Sequence, residues 1–236
     1  NDFGNDMQNR CKVWHIASDR LNLSGTSIDI TNKDEVKFTA EYRLKDVGTN
    51  VIDYYLNSNG TIMVESYLNI ENDTLPEIPR VGTQMVLPAQ FSKVTWYGRG
   101  PHENYCDRKT SAFVGIYNST VGELHTPYIR PQENGYRTDV RWVELTNENG
   151  KGLKITGSPL ICFSAHNYFR SDIDPGLRKR QWHDFQITKR ELISLNIDLG
   201  QTGVGGDDSW GARPYDKYTL WPGNYSFSYT IVPVGF

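Results

Sequence analysis

The chain has 236 residues and a formal net charge of −3, with a mean hydropathy of −0.58, and is long enough to bury a core without disulfide or metal staples. Its mildly acidic balance gives no electrostatic footprint for nucleic acid, and no apolar run approaches the ~18 residues of a membrane-spanning helix. Aromatic residues at 12% exclude a disordered composition, and 14 Tyr with 6 Trp suit β-strands and polar-ligand surfaces.

Cys11, Cys106 and Cys162 are far apart and odd in number, so they form no disulfide framework and at most one bridge. Cys162, within "PLICFSAH", reads as buried. The chain opens "NDFGND" without Met, which reads as the middle of a longer sequence. The compartment stays open between the bacterial cytoplasm and an exported space.

In chain order, residues 6–16 have helical spacing (Met7, Cys11, Trp14) and predict a short helix or arm over 1–20, ahead of one domain spanning 21–236. Alternation then takes over. "VKFTAEYRL" sets Val36, Phe38, Ala40, Tyr42 and Leu44 on one face, the period of a half-buried strand. Two such runs flank "NSNG" at 57–60, a hairpin signal. "ENDTLPEIPRVG" at 71–82 reads as a connection within the domain. "SKVTWYG" at 92–98 is the next strand, and "RWVELTNENGKGLKITG" at 141–157 repeats the strand, Asn-Gly, strand pattern. "PLICFSAH", "LISLNIDLG" and "NYSFSYTIVPV" complete the set. The basic stretch "GLRKRQW" at 176–182 is flanked by acids and reads as a solvated loop. Many short strands with little helix predict an all-β antiparallel sandwich or barrel.

Three dense polar-aromatic loops are the candidates for function. They are "WYGRGPHENYCDR" (96–108), "HTPYIRPQENGYRTDVRW" (125–142) and "TGVGGDDSWGARP" (202–214). Glu103, Asp107, Glu133, Asp207 and Asp208 are carboxylates of the type a glycosidase pair needs. We read Glu103 and Asp107 instead as partners of Arg108, Arg137 or backbone amides that pin the loops. Asp207 and Asp208 lack the alternate-residue spacing of a Ca²⁺ loop and suit turn or cap bonds. The five histidines lack zinc spacing. Trp210 stands outside any alternating strand, on a glycine-rich loop, where an aromatic face can stack on the C–H face of a sugar.

Those three loops, in that order, resemble the C-terminal β-sandwich, or small-chain domain, of glycoside hydrolase family 2 β-galactosidases. The resemblance implies an all-β, large antiparallel supersandwich of the kind also seen in galactose mutarotases. It also implies that the catalytic glutamates, most galactose contacts and the catalytic Mg²⁺ (with Na⁺ as a further candidate) sit on a separate TIM-barrel domain. No catalytic residue, metal or cofactor is then expected in this chain, and the chain alone is expected to be inactive. Trp210 would line the sugar pocket where the aglycone or acceptor binds. Gly205 and Gly206, with Gly203, would let the loop approach the barrel, and Asp207 and Asp208 would shape it. The implied partners are a β-galactoside such as lactose and the barrel of the same enzyme, which in this family is often oligomeric. Two alternatives remain. One is an autonomous carbohydrate-binding module. The other is an aldose epimerase, which would need His166 or His102 to work with Glu103 or Glu133.

Overall fold

The computed structural model describes residues 4–174, 183–208 and 210–236; the basic stretch at 176–182 lies outside them. Two short helices come first, α1 (Met7–Arg10) and α2 (Lys12–Asp19). The strands follow as β1 (Asn22–Asn32), β2 (Glu35–Leu44), β3 (Gly48–Asn57), β4 (Ile62–Ile70), β5 (Arg80–Pro88) and β6 (Lys93–Gly100). Then come β7 (Phe113–Thr120), β8 (Arg137–Thr146), β9 (Gly152–His166), β10 (Leu192–Gln201) and β11 (Asn224–Val234). The alternating runs at 36–44, 92–98, 192–200 and 224–234 all became strands. Both Asn-Gly signals became hairpin turns, and Gly60 (φ 83°) and Gly150 (φ 73°) hold the left-handed conformation that such turns require.

Every named strand pair is antiparallel. The sheet runs β1-β2-β3-β4-β11-β9-β8-β6-β7 and forks at β9. One edge of β9 serves two neighbours, β11 along Gly152–Ser158 and β10 along Cys162–His166. The fork sends β4 to β1 one way and β10 with β5 the other. The sequence runs at 141–157 and 159–166 thus meet in a single long strand, where two were expected. The branches fold onto one another around a core that joins Val64, Phe227 and Tyr229 to Trp96, Phe163 and Leu195. Tyr229 Oη lies 2.9 Å from Thr83 Oγ1, tying β11 to β5 across the layers. A second cluster places Ala17 and Trp14 of α2 against Val47, Ile70, Ile78 and Val81.

No disulfide joins the three cysteines. Cys162 is only partly buried, contrary to expectation, because Ile161 and Phe163 take the core side of β9 and the alternation turns Cys162 away. Cys11 is the buried one. Among the described residues no helix is long and apolar enough to cross a membrane.

Candidate functional site

The segment leaving β10 is pinned from its first residue. Thr202 donates its N–H to the Pro79 carbonyl (3.0 Å) and its hydroxyl to the Ile78 carbonyl (2.7 Å). Gly203 N–H donates to the Tyr218 carbonyl (2.8 Å) and Gly205 N–H to Asp107 Oδ2 (2.8 Å). Further along, Asp208 Oδ1 accepts the N–H groups of Trp210 (2.7 Å) and Ala212 (3.3 Å), which hold its carboxyl below the usual range. Asp207 Oδ1 accepts the Tyr215 hydroxyl at 2.6 Å. The two acids therefore brace the loop.

The glycines serve the same closure. A Cβ on Gly203 would meet the Asp107 carboxylate at 2.7 Å, and one on Gly206 would meet the Ala212 carbonyl oxygen at 2.4 Å. The clearance expected to face a neighbouring domain is used inside the chain at these two positions. Above this frame the Trp210 side chain is 87% exposed. The bonds to the backbone of this loop lower the ordering cost of the backbone on binding, and a ligand would still have to fix the indole rotamer.

The loop after β6 stands beside it. Glu103 is buried and accepts four donors: Arg108 Nη2 (3.2 Å), Gly135 N–H (2.8 Å), Tyr105 Oη (3.3 Å) and Tyr128 Oη. The pinning role read for Glu103 and Asp107 is what the geometry shows. Arg137 differs from expectation: it donates to the carbonyls of Leu124, Gly135 and Pro101 and lies over the Trp96 ring. An open cleft lies here, lined by His102, Glu103, Asp107, Arg108, Thr126 and Tyr128 among others. Asp107 thus belongs both to this cleft and to the frame of the Trp210 loop. Among the described residues no group of three or more His, Cys, Asp or Glu side chains is placed to hold a metal ion.

Behind the loops a charge cluster that the sequence reading missed runs from the buried Asp198 through Arg80 and Glu133 out to the exposed Arg170. Arg80 Nη2 donates to Glu133 Oε2 (3.0 Å) and Gln201 Oε1 (2.7 Å), and its Nε lies 3.3 Å from Asp198 Oδ2. Arg170 meets the other oxygen of Glu133. Burial raises the Asp198 carboxyl to about 6 against the pull of Arg80. Burial would raise Glu133 too, but Arg170 and Arg80 hold it below the usual range. The available signal was an acid, Asp198, on the polar side of the alternating run "LISLNIDLG", where Ser194 and Asn196 are uncharged.

The histidines do not meet the glutamates. His102 Nε2 lies 3.1 Å from Ser111 Oγ, and the buried His166 Nε2 lies 2.9 Å from the Asn134 carbonyl, so it carries the proton. His166 stacks on Tyr168, whose hydroxyl reaches His125 Nδ1 (2.7 Å). Burial pushes His166 down to about 4. Its folded pKa is below that of the unfolded chain, so its contribution to stability is lost as pH falls from about 6.5 to about 4. We expect the unfolding free energy of His166→Gln relative to the native chain to improve by about 3 kcal/mol between pH 7 and 4, since one pKa unit is 1.36 kcal/mol. Urea titrations at the two pH values measure this, and parallel pH profiles for the two proteins would contradict it.

The family model described as "Beta galactosidase small chain" matches residues 1–231. A β-galactosidase of Priestia megaterium is 35% identical over 235 residues, covering 99% of this chain and 22% of that protein. A β-galactosidase of Vibrio cholerae is 35% identical over 223 residues, covering 92% and 21%. The chain thus spans about a fifth of the length of these curated relatives. A galactose mutarotase-related enzyme of Lactobacillus acidophilus overlaps 89% of this chain and 71% of its own, at 10% identity and a TM-score of 0.39. That likeness is too low to carry an argument; the all-β class rests on the sheet itself. By the family match along nearly its whole length, the chain belongs to the β-galactosidase small-chain family.

Proposed function

We propose that this chain is the non-catalytic sandwich of a larger β-galactosidase that hydrolyses terminal β-D-galactosides such as lactose. In this reading Trp210 forms an aromatic wall of the pocket, on the side of the aglycone or acceptor sugar. The carrying observation is an indole 87% exposed on a loop whose backbone is fixed by Asp208, Asp207 and Asp107. An aromatic face excludes water from one side of a sugar and stacks on its C–H groups, while the hydroxyls turn to polar partners. Gly205, Gly206, Asp207 and Asp208 act as positioning residues for that wall. It would orient an acceptor, glucose or water, toward a galactosyl group held elsewhere.

The covalent chemistry of a retaining glycosidase needs two carboxylates about 5–5.5 Å apart, one as nucleophile and one as acid/base. We assign these to a catalytic barrel domain, together with Mg²⁺ and Na⁺. The carboxylates of this chain support that division, since Glu103, Glu133, Asp207 and Asp208 are each engaged by donors within the sandwich. The isolated chain is expected to release no chromophore from a chromogenic β-galactoside above the buffer rate. Turnover by the pure chain that survives Trp210→Ala would overturn the division.

A further inference from the structure

Cross-strand partners along β1–β4 form rows whose two faces differ in chemistry. One face carries Asp29, Lys37, Glu41, Asp53 and Glu65, with Lys37 Nζ 2.9 Å from Asp53 Oδ2. The rows of the other face carry no charge. One runs Val64, Tyr54, Phe38, Ile28; the next runs Ile62, Leu56, Val36, Ile30. Val64, Tyr54 and Ile62 belong to or pack on the main core. Exposure then climbs outward, from 2% at Val64 to 68% at Ile28 and 79% at Ile30. The apolar lining of the sandwich therefore runs past the layer that covers it and emerges bare on β1 and β2. Among the described residues strand β1 is paired on one side only, and it has no Lys or Pro along it to block pairing.

We propose that this bare face docks a neutral, aliphatic surface belonging to the rest of the same full-length β-galactosidase, as a permanent interdomain contact. This rests on the reading that the chain is part of a larger enzyme. Two observations choose the occupant. The face is uncharged and continuous with the core, the character of an obligate interface rather than of a transient one. Its most exposed members, Ile28 and Ile30, are aliphatic, while Phe38 and Tyr54 lie further in and pair with each other, so the outer part of the face suits an apolar protein surface better than a sugar. In addition, roughly four-fifths of the relatives' length lies outside the matched region, and tethered surfaces reach one another at a high effective concentration. A second copy of this chain, pairing through the β1 edge, is the competing occupant.

Hydrogen exchange distinguishes them, comparing the 236-residue chain with the complete enzyme. We expect β1 amides from Ser27 to Thr31 to exchange at least about tenfold more slowly in the complete enzyme. We also expect the double variant Ile28→Lys, Ile30→Lys to lose that protection there, while the isolated variant melts like the isolated parent, because both side chains are exposed. Equal exchange in the two native forms would overturn the proposal. So would β1 protection that appears in the isolated chain as its concentration rises, with sedimentation showing a dimer, because the second copy would then be the occupant. Slowed exchange combined with a Trp210→Ala enzyme of unaltered glucose affinity would uphold this contact and sink the pocket role of Trp210.

Discussion

Arg80→Met is expected to destabilise the isolated chain by about 3–5 kcal/mol, the cost of removing one partner from a buried ion pair. Arg80 stands between two acids. It bonds Glu133 and approaches Asp198, whose side chain is 1% exposed. Methionine keeps much of the packing against the Tyr136 ring, over which the guanidinium now lies at 5.0 Å, so the loss reports charge more than volume. Its pH dependence has a definite sign. Burial already holds the folded Asp198 pKa at about 6, above its unfolded value, so this group disfavours folding increasingly as pH rises through that value. Without Arg80 the folded pKa rises further, and the penalty should be larger at pH 8 than at pH 5. Urea unfolding at both values measures it. A loss below about 1 kcal/mol, the size of an exposed pair, would mean that water reaches these groups.

The same cluster shows where sequence reasoning stops. Hairpins were legible because their signals are local: Asn-Gly turns between runs of period 2, as at Gly60 and Gly150. The Arg80 cluster depends on the β10:β5 ladder, which sets Asp198 opposite Gly82, and no local pattern announces that pairing. Strand β1 was missed for a different reason. Nearly all of "NLSGTSIDITN" is exposed and irregularities interrupt its register, so burial does not mark it and its alternation is confined to Ile28 and Ile30 set between Ser27, Asp29 and Thr31. Strand β7 lies at the opposite edge and is exposed at alternate positions. Strand β5 was hidden because its first residues, Arg80 to Gly82, fell in a stretch read as a connection.

The exposure of Trp210 was more legible than the bonds that brace its loop. Trp210 stood out because it broke the alternation, and the structure leaves it the most exposed large hydrophobic residue among those described. The identity of its braces was not legible. Asp208 bonds residues two and four positions ahead, a local pattern typical of short acids. The Asp107 contact to Gly205 instead crosses between distant loops. That contact links the Trp210 loop to the cleft beside Glu103 and Tyr128, so damage at either place should reach the other.

Trp210 is expected to face the acceptor sugar rather than galactose. In the complete enzyme, Trp210→Ala removes a stacking surface worth about 1.5–3 kcal/mol if fully buried by ligand. That corresponds to a roughly tenfold to hundredfold weaker hold on glucose, at 1.4 kcal/mol per factor of ten. Trp210→Phe keeps a smaller plane and should recover part of the loss. The decisive measurement is the pair of inhibition constants for glucose and galactose in the parent enzyme and in Trp210→Ala. We expect the glucose constant to rise at least about tenfold while the galactose constant changes less than about threefold; equal losses for the two sugars, or a larger loss for galactose, would contradict this role of Trp210.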